Sequence, residues 1–422
     1  MKLCCDIGLP ASKSESHRAL MIAAYGGFEP DFLNLSDAND TRILAGALRE
    51  IRQGRPVIDI ADCGTAARFL TTFLACREGR WLLTGTRRMK QRPVKPLVDA
   101  LLNLGAEIRF VGEEGFLPLQ ILGRPVSGGK VALDMSQSSQ FASSLLLAAP
   151  MWPQGLELEL LGELNSLPYL DMTLAMMRHF GAEAGRDGRK VVVRPKPYQP
   201  TGFEVASDWS AASYWYEMAA LGDDSRVVLN GRFGRSGDKV PRLAGNPALP
   251  RSLQGDSVIA EWMESLGVHT SVEGNSLVLR KLPFERRTFA FDFSQAPDLF
   301  PTVVATCAGL QLEACFTGIA NLRQKESDRV GAMQDELAKI GAKLDAVSGC
   351  GLVLKPSPEL PFFGEASPLR FSVHGDHRVA MALAPLSLKV GFVSFDDLEV
   401  VAKSYPDFWQ KVPFLSLRTN FF

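Results

Sequence analysis

The feature that most constrains the fold is a pattern that occurs four times along the 422-residue chain. In each copy a helix-like amphipathic segment ends at a glycine, and a small or β-branched residue and a short strand-like run follow. The glycines are Gly105, Gly181, Gly267 and Gly341, spaced 76, 86 and 74 residues apart. Glycine ends helices well because it adopts the left-handed backbone conformation at little cost. Each copy therefore predicts a helix, a cap and a strand.

The spacing of the copies is too long for a solenoid unit of about 20 to 50 residues. It suits a larger α/β module with two clear copies in each half, and other helix-like and strand-like segments interleave with them. The length exceeds what one core usually supports, which favours two or three domains. Residues 231–256, rich in Pro, Gly and Arg, interrupt the third copy and predict an inserted surface loop.

Composition narrows the possible functions. The chain has 46 basic and 47 acidic residues and a formal charge of −1, which supports neither a nucleic-acid partner nor a membrane surface. Since no apolar segment has the length of a signal peptide or a membrane span, we expect a cytoplasmic protein. Seven scattered cysteines form no C-x-x-C pair and predict reduced thiols without a zinc site.

Cations and hydroxyl groups recur at the predicted helix starts. In "SKSESHR", Lys13 and Arg18 lie in the first turns of a helix, where free backbone amides favour an anion. A capped surface helix with two solvated cations explains the same residues equally well. "DCGTAARFL" offers backbone amides near Gly64 together with Arg68. "RRMKQRP" places Arg92 at a junction between a strand and a helix, where a guanidinium can hold an anion by two hydrogen bonds.

Other motifs repeat this ambiguity. "SQSSQF" by itself predicts a helix cap, and "RQKESDR" by itself predicts local salt bridges on a helix. "HGDHR" and "AKSYPDF" each add a cation beside turn or capping residues. His374 and His377 lack a third ligand nearby, so we expect no metal site. Together the motifs indicate two repeat-built domains facing a cleft that holds small, highly charged molecules.

Ten segments in this order resemble the 5-enolpyruvylshikimate-3-phosphate synthase family of enolpyruvyl transferases, over about residues 8–410. They are "SKSESHRAL", "DCGTAARFL", "RRMKQRP", "SSQF", "SLPYLDMTL", "SDWSAASYW", "PDLFPTVVA", "NLRQKESDR", "DHRVAMAL" and "AKSYPDF". The resemblance implies an α/β (α+β) fold of two domains, each an inside-out α/β barrel of three βαβαββ units with helices at its centre. It implies a two-strand hinge near residues 11–13 and 207–209, so the N-terminal strand joins the C-terminal half.

The resemblance implies an inserted domain, residues 13–207, on the shikimate-phosphate side and with part of the phosphoenolpyruvate pocket. It also implies a discontinuous domain, residues 1–12 plus 208–422, with the acid/base carboxylates and the other phosphoenolpyruvate cations. The implied reaction moves the enolpyruvyl group of phosphoenolpyruvate to the 5-hydroxyl of shikimate 3-phosphate and releases phosphate. It is a step of chorismate and aromatic amino acid biosynthesis, and it proceeds by addition and elimination. We expect a monomer without metal or organic cofactor. Such chemistry needs an acid/base pair and strong neutralisation of anions.

The resemblance also implies roles for individual residues. Asp298 would accept the hydroxyl proton, Glu326 would protonate the methylene, and Lys13 would touch both substrates. The shikimate 3-phosphate contacts would be Lys13, Ser14, Arg18, Ser138, Ser139, Gln140, Ser166, Tyr169, Asp298, Asn321 and Lys325. The phosphoenolpyruvate contacts would be Lys13, Gly64, Arg92, Gln140, Arg329, Arg378 and Lys403.

Four positions depart from the family pattern, namely Ala11, His17, Asp62 and Leu167. Asp62 matters most, because a carboxylate should repel an anionic substrate unless a cation such as Arg68 neutralises it. Two alternatives remain: the sister transferase acting on UDP-N-acetylglucosamine, and a non-catalytic sugar-phosphate binder. Arg87 stands where the sister enzyme has cysteine, and a binder would gain nothing from both Asp298 and Glu326.

Overall fold

A computed structural model describes residues 2–234, 252–349 and 351–417. The chain divides into two compact units. The inserted unit is Ala11–Val205, and the discontinuous unit combines Met1–Pro10 with Ala206–Phe422. From the sequence we expected these boundaries at 13 and 207, and the substrate roles given to the two domains stay predictions.

The first half of the chain alternates strands and helices. Its strands are β1 (Lys2–Gly8), β2 (Phe32–Leu33), β3 (Val57–Asp59), β4 (Gly79–Thr84), β5 (Glu107–Phe110), β6 (Leu119–Gly123), β7 (Gly129–Asp134), β8 (Leu156–Leu161), β9 (Ala184–Asp187), β10 (Lys190–Val193) and β11 (Phe203–Glu204). Its helices are α1 (Lys13–Gly26), α2 (Asn39–Arg52), α3 (Gly64–Ala75), α4 (Lys95–Asn103), α5 (Ser139–Ala148) and α6 (Leu167–His179). Short 3-10 helices span Met89–Gln91 and Ala149–Met151. All of these elements except β1 belong to the inserted unit.

The second half continues the alternation. Its strands are β12 (Asp224–Asn230), β13 (Val268–Glu273), β14 (Ser276–Lys281), β15 (Phe289–Asp292), β16 (Ala314–Thr317), β17 (Lys343–Val347), β18 (Gly351–Lys355), β19 (Leu369–Phe371) and β20 (Val393–Phe395). Its helices are α7 (Trp209–Leu221), α8 (Ile259–Ser265), α9 (Phe300–Gly309), α10 (Arg329–Ala338), α11 (His377–Leu383), α12 (Ser387–Val390) and α13 (Phe408–Lys411). Short 3-10 helices span Gly255–Val258, Pro297–Leu299, Leu322–Gln324, Ala384–Leu386 and Glu399–Lys403.

Four four-stranded sheets share one topology. Their strand orders are β3-β4-β6-β5, β7-β8-β10-β9, β1-β12-β14-β13 and β15-β16-β18-β17. In each sheet the first two strands are parallel, and the last strand in sequence pairs antiparallel with both of its neighbours. Each sheet with its helices is therefore a βαβαββ unit, two in each half as the repeat predicted. The inserted unit also contains the two-stranded parallel sheet β2-β11, and the discontinuous unit contains the two-stranded parallel sheet β19-β20.

The helix-ending glycines adopt the conformation predicted for them. Gly105, Gly181, Gly267 and Gly341 have φ values of 89°, 86°, 83° and 79°. Each lies one to three residues before the third strand of its sheet, so the chain turns from helix to strand there. The left-handed conformation needed at this point is the reason why glycine recurs.

Strand β1 lies in a sheet of the discontinuous unit. It pairs in parallel with β12, from Lys2 opposite Asp224 to Gly8 opposite Asn230. The expectation that the N-terminal strand joins the C-terminal half is confirmed.

Helices form the core of each unit. In the inserted unit α5 packs against α3 and α6, and in the discontinuous unit α9 packs against α7 and α11. Twelve of the thirteen residues of α7 and all ten of α9 are buried. A helix that is buried on all sides lies inside its unit rather than on its surface, which fits sheets arranged around central helices. In the described part of the chain, no helix is long and apolar enough to cross a membrane.

The prediction of a surface loop at residues 231–256 is wrong for its last part. Residues 235–251 lie outside the described residues, but residues 252–256 are buried. Side-chain hydrogen bonds tie this part to the start of α7: the backbone N–H of Trp209 donates to Gln254 Oε1 at 2.8 Å, and Gln254 Nε2 donates to the carbonyl of Ser207 at 2.9 Å. Composition gave no sign of these contacts.

Candidate active site

Helix α1 begins with the predicted anion motif. Ser12 is its N-cap, and the backbone N–H of Glu15 donates to Ser12 Oγ at 3.4 Å. Lys13, the first helical residue, donates from Nζ to Asp40 Oδ2 at 2.8 Å. Asp40 is buried and Lys13 is only partly exposed, so the lysine is held in place by a carboxylate that the sequence analysis did not identify.

Arg18 lies one turn further along α1 and is buried. Its guanidinium donates to Thr173 Oγ1 at 2.7 Å, to the carbonyls of Ser14 and Tyr169 at 2.9 and 3.1 Å, and to Ser143 Oγ at 3.4 Å. Burial lowers the pKa of Arg18 to about 10, so the side chain stays a cation at neutral pH. Among the described residues, the acceptors of its hydrogen bonds are neutral oxygens, so these bonds leave its charge available to an anion.

Predicted ligands at the starts of α5 and α6 approach Arg18 and Gly64. Ser138 caps α5 as expected, because its hydroxyl accepts from the backbone N–H of Gln140 at 3.2 Å. Gln140 Nε2 donates to Thr65 Oγ1 at 3.1 Å, next to Gly64. Ser139 follows the cap. Ser166 precedes α6 with φ +60°, a conformation that few residues other than glycine adopt. In the first turn of α6, the Tyr169 carbonyl accepts a hydrogen bond from Arg18.

Gly64 occupies a position where two arginines converge. A Cβ atom there would lie 2.6 Å from Nη1 of Arg92 and 3.0 Å from Nη1 of Arg68. Arg68 donates to the carbonyls of Gly64 and Pro93 at 3.0 and 2.7 Å, and Arg92 is also buried. The absence of a side chain at Gly64 lets both guanidinium groups approach the start of α3.

The discontinuous unit holds its arginines in a different way. Arg329, the first residue of α10, is 1 % exposed and donates to three carboxylates. The distances are 2.8 Å to Asp298 Oδ1, 3.0 Å to Glu326 Oε2 and 2.9 Å to Asp376 Oδ2. The predicted proton acceptor and the predicted proton donor therefore lie on one guanidinium.

Asp298 is held by a second arginine as well. Arg378 Nη2 donates to Asp298 Oδ2 at 2.8 Å. Burial by itself would raise the pKa of Asp298, but Arg378, Arg329 and Lys325 outweigh it and hold the pKa well below its usual range. Burial would likewise lower the pKa of Arg329, but its carboxylates raise it. In this arrangement Asp298 is an ionised carboxylate and a weak base.

The remaining predicted ligands of this unit are Asn321 and Lys403, both buried. Asn321 immediately precedes a 3-10 helix, and its Oδ1 has no hydrogen-bond partner among the residues that the structure describes. Buried amide oxygens are normally bonded, so this atom is a ligand candidate. Lys403 ends the 3-10 helix Glu399–Lys403, which packs against α11.

Sequence reasoning missed Asp376 within "HGDHR". Its side chain accepts from the backbone N–H of Arg378 at 2.9 Å, as an N-cap of α11, and from Arg329 Nε and Ser327 Oγ. An aspartate before a helix predicts the cap, but nothing local indicates the arginine 47 residues away.

His374 bonds Glu336 at 3.0 Å, and the described residues contain no group of three or more His, Cys, Asp or Glu side chains placed to hold a metal ion.

The fold and these side chains define a class of protein: an α/β protein built from repeated βαβαββ units, with buried arginines in both halves and one arginine that bonds a pair of carboxylates. A family model described as EPSP synthase (3-phosphoshikimate 1-carboxyvinyltransferase) matches residues 33–412.

Individual relatives agree with this match. The chain is 41% identical over 409 residues to the 3-phosphoshikimate 1-carboxyvinyltransferase of Bacteroides fragilis (strain YCH46), covering 96% of this chain and 93% of the relative. It is 35% identical over 435 residues to the one of Syntrophobacter fumaroxidans, with 96% and 95% covered. The solved EPSP synthase of Acinetobacter baumannii has the same fold, with a TM-score of 0.69 at 21% identity over 98% of this chain and 96% of that chain. The chain belongs to the EPSP synthase family of transferases.

Proposed function

We propose that the chain transfers the enolpyruvyl group of phosphoenolpyruvate to the 5-hydroxyl of shikimate 3-phosphate, giving 5-enolpyruvylshikimate 3-phosphate and inorganic phosphate. The names of the relatives support this substrate over UDP-N-acetylglucosamine. The observation that carries the proposal is the guanidinium of Arg329, which bonds both Asp298 and Glu326. A binding protein has no use for an acid and a base held together beside cations.

In the first step a proton from Glu326 adds to the methylene carbon of phosphoenolpyruvate while the 5-hydroxyl oxygen bonds to the adjacent carbon. Asp298 accepts the hydroxyl proton. In the second step the methyl group returns a proton to the Glu326 carboxylate, and the bond from the adjacent carbon, which now carries the 5-oxygen, to the phosphate oxygen breaks. The double bond forms again and phosphate leaves, so each carboxylate needs to exchange a proton during the cycle.

The arginines have a second role in this proposal. Asp298 is a weak base while Arg329 and Arg378 both bond to it. When anionic groups of phosphoenolpyruvate draw these guanidinium groups toward themselves, less positive charge faces Asp298 and its pKa rises toward that of a useful base. Arrival of the substrate would thereby activate the base.

In the inserted unit, the proposed ligands of shikimate 3-phosphate are Lys13, Ser14, Arg18, Ser138, Ser139, Gln140, Ser166 and Tyr169. Arg18 supports this proposal best, since a buried cation bonded to neutral oxygens can attract a phosphate without breaking an ion pair. Gly64 and Arg92 would add contacts to phosphoenolpyruvate. We also propose that the protein is a cytoplasmic monomer. It would need neither metal nor organic cofactor, because the reaction transfers only protons and an enolpyruvyl group.

The test is phosphate release by the purified protein with phosphoenolpyruvate and shikimate 3-phosphate, beside Glu326→Ala and Glu326→Gln. We expect release to need both substrates and to fall at least about a hundredfold in both variants, as loss of a general acid usually costs. Replacing shikimate 3-phosphate by UDP-N-acetylglucosamine should give none. Equal release by the wild type and Glu326→Ala would contradict the assigned chemistry.

A further inference from the structure

A buried carboxylate outside the proposed catalytic set lies beside it. Asp256 is in the 3-10 helix Gly255–Val258 and is 1 % exposed. The hydroxyl of Ser210, in the first turn of α7, donates to Asp256 Oδ2. Helix α7 also packs against the 3-10 helix Pro297–Leu299, which carries Asp298. Asp256 and Asp298 therefore lie in two segments that pack against the same helix.

The charged groups around Asp256 come from several elements. Asp208 precedes α7, Asp298 is in the neighbouring 3-10 helix, and Arg378 is in α11. Helix α8, which follows Asp256 directly, carries Glu261 and Glu264, both exposed. Glu264 bonds His269 at 2.9 Å.

Two effects make the proton affinity of Asp256 high. Burial and, to a smaller extent, the Asp298 carboxylate raise the pKa of Asp256, and the net value is about 6. Arg378 and the Ser210 hydroxyl act in the opposite direction. The group therefore changes charge close to neutral pH, whereas Asp298 stays ionised because its two arginines hold its pKa low.

Arg378 is the link between Asp256 and the substrate. It bonds Asp298 and belongs to the proposed phosphoenolpyruvate contacts. A bound anion at Arg378 adds negative charge to a buried region that already holds Asp298 and Asp256. Adding negative charge beside a carboxyl group favours its protonated form.

We propose that Asp256 is a positioning residue that takes up a proton when phosphoenolpyruvate binds at Arg378, so that substrate affinity falls as Asp256 becomes ionised. This inference rests on the proposed function, because it takes Arg378 as a phosphoenolpyruvate contact. Proton uptake keeps the charge near Arg378 and Asp298 nearly constant while the substrate enters. A neutral side chain at this position removes the effect.

The direction of the pH dependence follows from linkage. Below about pH 6 Asp256 carries its proton in the free protein, and affinity does not depend on it. As pH rises above that value the free protein loses the proton, and binding must restore it, so affinity falls. The fall ends above the higher pKa of the complex. A shift of one pKa unit on binding gives a total change of about tenfold.

The experiment measures KM for phosphoenolpyruvate from pH 5.5 to 8.5 at saturating shikimate 3-phosphate. Phosphoenolpyruvate itself titrates in this range, so the quantity of interest is the ratio of wild type to Asp256→Asn, in which the titration of the substrate cancels. We expect a ratio near one at about pH 5.5 that rises to about ten at pH 8, the variant binding more tightly. Damage to the fold would weaken binding instead.

Ser210→Ala is the matched variant, since it keeps the carboxylate and removes only the hydrogen bond. Because that bond lowers the pKa of Asp256, its loss should move the midpoint of the wild-type pH dependence to higher pH without abolishing it. Should Asp256→Asn fail to fold, this shift alone tests the inference. A midpoint that stays in place would then overturn it.

Calorimetric titration of phosphoenolpyruvate in two buffers of different ionisation enthalpy measures proton uptake directly. Near pH 7 we expect the wild type to take up more protons than Asp256→Asn. An active wild type with a pH-independent KM ratio and equal proton uptake overturns the role of Asp256 and leaves the proposed function standing. A wild type that binds with extra proton uptake but releases no phosphate overturns the proposed function and leaves the role of Asp256 standing. A wild type that does not bind phosphoenolpyruvate overturns both proposals.

Discussion

The two units hold their buried arginines with opposite kinds of partner. In the inserted unit Arg18 is bonded to hydroxyl and carbonyl oxygens, and its charge is not neutralised by those bonds. In the discontinuous unit Arg329 is bonded to three carboxylates. The first arrangement can take an anion without giving up an ion pair. The second must exchange a carboxylate for the anion, which ties binding to the protonation of catalytic groups.

The largest expected effect is on Arg329→Ala. Removing this guanidinium leaves Asp298, Glu326 and Asp376 without the cation that they share, and breaking a buried pair in this way costs about 3 to 5 kcal/mol. Turnover should be lost. Phosphate release checks the loss of turnover. The free energy of unfolding from urea denaturation, measured with and without substrates, checks the loss of stability.

Arg18→Ala serves as the matched control for that variant. It leaves neutral acceptors unpaired, which costs about 1 to 3 kcal/mol, and it should weaken shikimate 3-phosphate binding more than stability. If Arg18→Ala destabilised the protein as much as Arg329→Ala, the two arginines would not differ in the way that their partners indicate.

A smaller effect is expected for Gly64→Ala. The added Cβ would lie 2.6 Å from Nη1 of Arg92, so the guanidinium must move, at the cost of about 1 to 3 kcal/mol usual for overpacking. KM for phosphoenolpyruvate should rise about tenfold while KM for shikimate 3-phosphate changes little, which steady-state kinetics can separate. Gly46→Ala, where a Cβ meets nothing within 4 Å, is the control. Equal effects on both KM values would count against Gly64 and Arg92 as a phosphoenolpyruvate contact.

The smallest effect is expected for Asp62→Asn. Asp62 is partly exposed and lies two residues before Gly64, so its charge is partly screened. Removing that charge should lower KM for phosphoenolpyruvate by about two- to fivefold, more at low than at high ionic strength. A KM that rises would mean that the carboxylate supports the site rather than repelling the substrate.

The sequence predicts local features of this fold well and distant pairings poorly. The glycine pattern predicted the four helix ends because one residue determines each, and Ser12 and Ser138 are caps for the same reason. The pairing of β1 with β12 spans more than 200 residues and came only from the family resemblance.

The charged site shows the same limit. "RQKESDR" correctly suggests the pair of Glu326 and Arg329, although Glu326 precedes α10 and the pair is not within a helix. The other two partners of Arg329 lie 31 and 47 residues away, and tertiary packing alone brings them there. Composition predicts a surface loop at Asp256, because nothing local indicates that Ser210 bonds it and that the Asp298 carboxylate acts on it.

The most direct test of the proposed chemistry is to run the reaction with phosphoenolpyruvate and shikimate 3-phosphate in D₂O and to measure the mass of the product by mass spectrometry. Addition and elimination pass through a methyl group, so solvent deuterium should appear in the methylene of the enolpyruvyl product. Glu326→Gln should slow both turnover and incorporation by at least about a hundredfold. A product that carries no deuterium at carbon, formed at the wild-type rate, would contradict proton transfer from Glu326 and the mechanism built on it.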